Sequence, residues 1–276
     1  MMKRKVILIT GASSGLGKAT AHHLASQGFI VIGTSRHGSS LKSLNESKEK
    51  TSPFILKMDL TNEQSIEEAV YTIMKTYGSI DVLINNAGMG ISGSVEESNI
   101  TDVKKLFETN FFGTLNLTQT VLPIMRKQQS GLIISMSSIG GVLGLPFQGI
   151  YSASKFAIEG VMESLRMEVH KFGIKVVLVE PGDFKTNFTK NRKKSLKKSS
   201  EYYTLEKNAT SVFEHDEQNG SDPVIVAKII EKIINSKHPK LRYRVGSFSQ
   251  KFAASLKGVI SDRIVQWILM KYYKLE

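Results

Sequence analysis

Tyr151 and Lys155 stand four residues apart within a stretch of helical period, so they share one helix face, a turn apart. A free phenol has a pKa of about 10 and transfers protons poorly near neutrality. A neighbouring ammonium favours the phenolate and lowers that pKa. The pair is therefore a candidate general acid/base for a carbonyl–alcohol couple. Tyr-x-x-x-Lys is common by chance, so its surroundings carry the argument. Ser138 lies just beyond the apolar run Leu132–Ile134, where a parallel strand would deliver it to the crevice at the carboxyl edge of a sheet. Asn85-Asn86-Ala87-Gly88 closes the preceding apolar run and brings polar groups to the same rim.

A second group of residues is suited to binding. Thr10-Gly11-Ala12-Ser13-Ser14-Gly15-Leu16-Gly17 follows the first apolar run directly and opens a helical stretch. Glycines 11, 15 and 17 permit a tight turn and a close backbone approach to a pyrophosphate, over a helix N-terminus that offers N–H groups. The spacing differs from the generic G-x-G-x-x-G fingerprint. The second apolar run ends Thr34-Ser35-Arg36-His37. An acidic residue there would bind a free ribose hydroxyl, whereas an arginine suits a ribose phosphate. Arg36 therefore favours NADP(H), with NAD(H) as the alternative.

These residues need elements to position them. Short apolar runs recur at Val6–Ile9, Phe29–Ile32, Phe54–Leu56, Ile80–Ile84, Leu132–Ile134 and Ile174–Val179. Most are apolar throughout, as in strands buried on both faces of a parallel sheet. Between them run helical periods at Leu16–Gln27, Glu63–Tyr77, Asp102–Gln129 and Tyr151–Phe172. The alternation predicts an α/β fold, a Rossmann-type doubly wound parallel sheet in one domain. Residues 1–182 form its core. From Asp183 to Ser221 no apolar periodicity is sustained, which points to a substrate lid. Residues 222–276 complete the chain. Pro223, capped by Asp222, opens a helix to about Asn235; a strand at Leu241–Val245 and a terminal helix follow.

With these motifs in order, the sequence resembles the short-chain dehydrogenase/reductase family from about Lys5 to Thr186. The resemblance rests on Thr10–Gly17, Asp59, Asn85-Asn86-Ala87-Gly88, Asn110, Ser137-Ser138, Tyr151-Ser-Ala-Ser-Lys155 and Pro181-Gly182 with Thr186. It implies that Tyr151 exchanges a proton with the carbonyl oxygen and that Ser138 stabilises that oxygen. It implies that Lys155 holds the nicotinamide ribose and lowers the Tyr151 pKa, and that Asn110 holds a relay water. For the cofactor it implies Gly11, Ser13, Ser14, Gly15, Leu16 and Gly17 at the pyrophosphate. Asp59 and Leu60 would lie at the adenine, Asn86, Ala87 and Gly88 along the ribose. Pro181, Gly182 and Thr186 would border the carboxamide. No metal is implied. Many NADP-using relatives carry a second basic residue where this chain has Ser14, so the NADP reading rests on Arg36.

The segments that wall the substrate in this family here offer Met89, Ile91, Val142, Leu143, Leu145, Phe147, Phe184 and Phe188. Those side chains suit an apolar steroid-, retinoid- or fatty-acyl-like carbonyl compound. The Asp102–Gln129 stretch is apolar nearly all round, which agrees with the homodimers or homotetramers usual in the family.

Composition narrows the rest. The chain has 276 residues, 41% of them hydrophobic and 22% charged, enough for one substantial core. Cysteine is absent, which excludes disulfides and thiolate metal sites and fits a reducing, cytoplasmic setting. The net charge is +12, which favours anionic partners. No groove-reading motif accompanies it, so no nucleic-acid partner is expected. Lys190–Lys198 reads as a solvated lid face, or as an attractor of anionic substrate groups. The apolar stretch Ile264–Met270 is too short to span a bilayer. It reads as a helix docked on the core or on a second subunit, with peripheral membrane contact as the alternative. A cofactor-binding protein without catalysis is the competing function, and the intact Ser138, Tyr151 and Lys155 argue against it.

Overall fold

Buried strands and amphipathic helices alternate along the chain, and the computed structural model describes residues 4–38, 52–194 and 201–276. The first half runs β1 (Val6–Thr10), α1 (Gly15–Ser26), β2 (Ile30–Ser35), β3 (Phe54–Lys57), α2 (Glu63–Tyr77) and β4 (Val82–Asn85). A short β5 (Ile91–Ser92) precedes α3 (Ile100–Phe107), α4 (Gly113–Gln128) and β6 (Gly131–Met136). Then come α5 (Gly149–Glu168), β7 (Ile174–Pro181), α6 (Phe188–Asn191) and β8 (Lys193–Lys194). The chain ends with α7 (Tyr203–Gln218), α8 (Val224–Asn235), β9 (Arg242–Val245), α9 (Phe248–Leu256) and α10 (Asp262–Tyr272).

Seven strands form one parallel sheet in the order β3-β2-β1-β4-β6-β7-β9. The order reverses at β1 and β4, so the crevice between their carboxyl ends is the natural ligand site. Both faces of the sheet are covered. Val6 and Leu8 of β1 point to one side, with α2, α4 and α5. Ile7 and Ile9 point to the other, with α1 and α8. Unbroken apolar runs follow because alternate side chains on each strand enter different cores.

The elements begin and end where their residues dictate. The Asn62 side chain accepts from Ser65 N at 2.9 Å to start α2, and Gly78 (φ 72°) ends it in a left-handed turn. The Asp222 carboxylate accepts from Val224 N at 2.9 Å as α8 begins. The helical period expected over Asp102–Gln129 is broken. Between α3 and α4, residues Glu108–Phe112 form a π-turn. Such a wide turn shifts the register of the side chains and recurs at functional sites.

The segment after Pro181 also departs from expectation. It carries α6 and the long α7, whose inward face is Glu206, Ala209, Thr210 and Phe213. Two polar residues on that face hide its period from a hydrophobicity reading. The basic run is not a uniformly solvated face either. Arg192 is 5% exposed and pairs with Glu217, while Lys193 meets Asp102 and Lys194 meets Glu214, each at 2.5 Å. Residues 195–198 of that run lie outside the described residues. No helix among the described residues is long and apolar enough to cross a membrane.

Candidate active site

The carboxyl ends of β1, β4, β6 and β7 open into a cavity of about 1010 Å³. Gly11, Ser13, Ser14, Gly15, Leu16, Arg36, Asp59, Leu60, Asn86, Ala87, Gly88, Ser138, Tyr151, Lys155, Pro181, Gly182 and Thr186 all line it. Of the residues singled out from the sequence, Gly17 and Asn110 stand behind the wall.

Gly17 has a packing role. A Cβ there would lie 2.3 Å from both Asn86 Nδ2 and Gly11 O. Gly11 (φ +67°) makes the turn, and its own Cβ would meet Ala87 Cα at 2.9 Å. The turn is fastened to the end of β4. Thr10 Oγ1 accepts from Asn86 N and Ala87 N at 2.9 Å each, and Asn86 Nδ2 donates to Thr10 O at 2.8 Å. No side chain caps α1, and its first turn holds no acidic residue. Its positive end is thus turned over to whatever occupies the cavity.

Asn110 sits in the π-turn with its side chain fully engaged. Its Oδ1 accepts from Met89 N at 2.9 Å, and its Nδ2 donates to Met89 O at 3.0 Å and Ser154 Oγ at 3.1 Å. The wide turn thereby locks the loop after β4 to α5. Asn85 has a structural task, donating to Thr118 Oγ1 at 3.0 Å and Ser135 Oγ at 3.2 Å. Asp59 Oδ1 accepts from Thr61 N at 2.9 Å and Thr61 Oγ1 at 2.8 Å. Thr186 Oγ1 accepts from Phe188 N at 3.2 Å.

Ser138 begins a short 3₁₀ turn, its Oγ accepting from Gly140 N at 3.0 Å. The same hydroxyl also hydrogen-bonds the Tyr151 phenol. Lys155 is buried on α5, its Nζ donating to Met136 O at 2.9 Å and lying 5.8 Å from the Tyr151 ring centroid. Burial pulls the Lys155 ammonium down to about 8, against the opposing pull of Glu159 one turn on. The Tyr151 phenol differs from expectation. Burial pushes its pKa up; the Ser138 hydrogen bond and the Arg192 charge only partly offset this, and Glu217 and Asp183 push the same way as burial. The expected lowering by Lys155 is not what this chain's own residues produce. Lys155 gives one of its three N–H groups to the Met136 carbonyl, and its nitrogen stands 5.8 Å from the ring centroid. The phenol is held protonated, the form that a proton donor needs.

Beyond the Tyr151 hydroxyl the cavity turns apolar. Met89, Leu143, Leu145, Phe184 and Phe188 line it as expected. Ile91, Val142 and Phe147 do not: Ile91 packs with Tyr151, Val142 against the Ile139 cluster, and Phe147 against the cluster of Ala209, Phe213 and Tyr273. The sequence reading missed the far wall, which comes from α7, α9 and α10. Phe213, Phe252, Leu256, Ile260, Val265, Ile268, Leu269 and Tyr273 supply it. Asp183, Arg192, Glu217 and Gln250 bring polar groups to it. No local signal marks these residues, because they meet only through the docking of three late helices. The terminal helix is therefore seated over the cavity, with Trp267 about half-exposed on its outer side.

Comparison with known proteins agrees with this geometry. A family model described as short chain dehydrogenase matches residues 5–197. The chain is 45% identical over 276 residues to 3-ketodihydrosphingosine reductase of Bacteroides thetaiotaomicron, spanning 99% of this chain and 100% of that one. It is 33% identical over 259 residues to retinol dehydrogenase 8 of Bos taurus, across 88% and 82% of the two chains. A solved short-chain dehydrogenase from Streptomyces avermitilis superposes with a TM-score of 0.80 at 32% identity, covering 100% of this chain and 98% of that one. The solved structure of ElxO with NADP bound gives 0.71 at 29% identity, over 88% and 96%. The chain belongs to the short-chain dehydrogenase/reductase family of oxidoreductases.

Proposed function

We propose that the protein is an NADPH-dependent reductase of a long-chain amphiphilic ketone, of the type of 3-ketodihydrosphingosine. The observation that carries this reading is one continuous cavity. A glycine turn and helix N-terminus lie at one end, a protonated tyrosine beside a serine and a lysine in the middle, and an apolar channel under α9 and α10 at the other. The 45% identical relative named for a ketone of that type supports the substrate class.

The residues present fit a nicotinamide dinucleotide. Gly11 and Gly15, both at positive φ, leave the backbone open over the start of α1. A Cβ at Gly88 would stand 3.3 Å from Asn110 Oδ1 and 3.7 Å from Lys155 Nζ, so that glycine keeps a flat channel along the wall. Ser13, Ser14, Gly15 and Leu16 would hold the pyrophosphate, Asp59 and Leu60 the adenine, and Asn86, Ala87 and Gly88 the ribose region. Pro181, Gly182 and Thr186 would border the carboxamide. Arg36 is exposed at the end of β2 and lines the cavity, and it supports the preference for a ribose phosphate. The nicotinamide supplies the hydride to the carbonyl carbon.

The chain's own residues do the rest. Ser138 donates to the ketone oxygen as negative charge develops there. Tyr151 delivers its phenolic proton to the same oxygen. Lys155, anchored on Met136 O, holds the ribose and supports the phenolate that remains. Asn110 fixes the loop after β4 in place. The helices α6, α7 and α10 exclude water from the reacting atoms. Exposed apolar residues, Phe112 of the π-turn before α4 and Phe156 of α5, support assembly as a homo-oligomer.

Fluorescence titration tests the cofactor assignment. Wild type binds NADPH more tightly than NADH, and Arg36→Asp weakens NADPH binding by about tenfold or more. Equal binding of the two cofactors by wild type would remove the NADP assignment, and binding of neither would remove the reductase.

A further inference from the structure

The apolar channel holds a carboxyl that has no cation paired with it among the described residues. Asp183 follows Gly182 at the end of β7 and lines the cavity. One of its oxygens, Oδ2, accepts from the Gln250 side-chain amide, and its backbone N donates to Gln250 Oε1 at 3.2 Å. Among the described residues Asp183 has no ion pair, and its Oδ1 has no hydrogen-bond partner. The neighbouring carboxylates are already occupied. Glu217 takes Arg192 together with the Thr189 hydroxyl at 2.5 Å, and Asp216 takes the Tyr272 hydroxyl at 2.5 Å. This end of the cavity therefore carries more acid than base.

A second polar group points to a ligand here. Tyr273 is 7% exposed and lines the same end of the cavity. Its hydroxyl makes no hydrogen bond among the described residues. With no protein partner, the hydroxyl is free to hydrogen-bond a ligand in the cavity. The charges of Asp183, Asp216 and Glu217 all bear on this hydroxyl, which puts it in their midst. Asp183, Tyr151 and Ser138 line the same cavity, so the cluster shares a chamber with the reacting carbonyl.

We infer that Asp183 and the Tyr273 hydroxyl form a head-group subsite that binds an ammonium on the carbon next to the ketone and a hydroxyl one carbon further out. The inference rests on the reductase reading above and deepens it. An aminated ketone such as 3-ketodihydrosphingosine carries both groups there, with its alkyl chain on the far side of the carbonyl. The ammonium meets the unpaired Asp183 carboxylate in a desolvated cavity, where a charge-assisted hydrogen bond is strong. Tyr273 meets the hydroxyl, and the chain lies along Leu143, Ala253 and Val265, which line the cavity in a separate apolar cluster. A neutral retinoid or steroid carbonyl offers the Asp183 carboxyl no cation and forgoes that bond, so the site favours the aminated ketone.

The test compares two ketones of equal length, one 3-ketodihydrosphingosine, the other with its amine replaced by hydrogen. Wild type prefers the aminated ketone in kcat/KM by about tenfold or more, mostly through KM. Asp183→Asn keeps the size and the Gln250 contact but removes the charge, and it reduces that preference about tenfold. Calorimetric binding of dihydrosphingosine against its N-acetyl form to wild type needs no variant. The free amine binds about tenfold more tightly. A preference unchanged in Asp183→Asn, or equal binding of the amine and its N-acetyl form, overturns the subsite while ketone reduction stands. Reduction of neither ketone by wild type overturns the reductase reading and the subsite with it.

Discussion

Tyr151 has two opposed influences on its proton, and the balance sets its part in the reaction. Burial holds the proton on, while Ser138 and Arg192 ease it off. A phenol kept protonated until an oxygen accepts its proton is suited to reduction. Tyr151→Phe removes the proton and leaves the packing against Phe188, whose ring centroid is 5.8 Å away. It should lower kcat by about 10²–10⁴-fold with NADPH affinity kept, as read by turnover and fluorescence titration. Asp183 offers a different measurement, of stability against pH. Its carboxyl is pushed from 3.8 up to about 7 by burial and by Glu217 and Asp216, against the Gln250 bond and the Arg192 charge. Between those pH values the folded state binds more protons than the unfolded state, so this group's contribution to stability falls as pH rises. Asp183→Asn removes that fall. Its urea midpoint should gain on wild type from pH 4 to pH 7, and a constant difference would contradict the assignment. The sequence showed Tyr151, Ser138 and Lys155 because their spacing and their place after apolar runs are local properties. Asp183 stands beside Pro181-Gly182 in the chain, yet its importance depends on Gln250 and Tyr273, which come from other helices.

At the scale of elements, the legible parts are those whose boundaries are made by neighbouring residues. Helix α2 spans Glu63–Tyr77 as its period requires, with Asn62 and Gly78 at its ends. The π-turn is invisible to a periodicity reading, because one wide turn barely disturbs an apolar pattern that continues on both sides. Helix α7 was hidden by Glu206 and Thr210 on its inward face. Arg192 looked solvated because it sits among lysines, and its partner Glu217 is 25 residues away. Two predictions belong here. Gly17→Ala puts a Cβ into Asn86 and Gly11, so it should cost about 1–3 kcal/mol of stability and weaken cofactor binding, measured by urea unfolding and titration. Arg192→Met leaves Glu217 in the cavity wall without its cation, a loss of about 3 kcal/mol in the docking of α6 and α7. Hydrogen exchange in α7 should quicken, with the sheet unaffected. Adding Glu217→Leu should restore most of the protection.

On the scale of the molecule, the sheet's crevice and the late helices share one cavity but are coded differently. Strand runs such as Val6–Thr10 declare the crevice, since both cores demand apolar residues at successive positions. The channel under α9 and α10 depends on how those helices dock, which sequence period alone does not state. Its length should appear as selectivity for chain length. Each added methylene is worth about 0.8 kcal/mol when buried, so kcat/KM should rise about fourfold per carbon until the channel is full. Ala253→Trp fills the channel near Leu145 and Val265, and it should flatten that rise while short ketones are still reduced. The most direct measurement is NADPH oxidation by wild type and Tyr151→Phe with 3-ketodihydrosphingosine, with product identified by mass. Wild type should form one dihydrosphingosine per NADPH consumed, and the variant should lose about 10²-fold or more of that rate. Wild type that oxidises neither NADPH nor NADH with this ketone, or a variant as fast as wild type, would contradict the reductase mechanism.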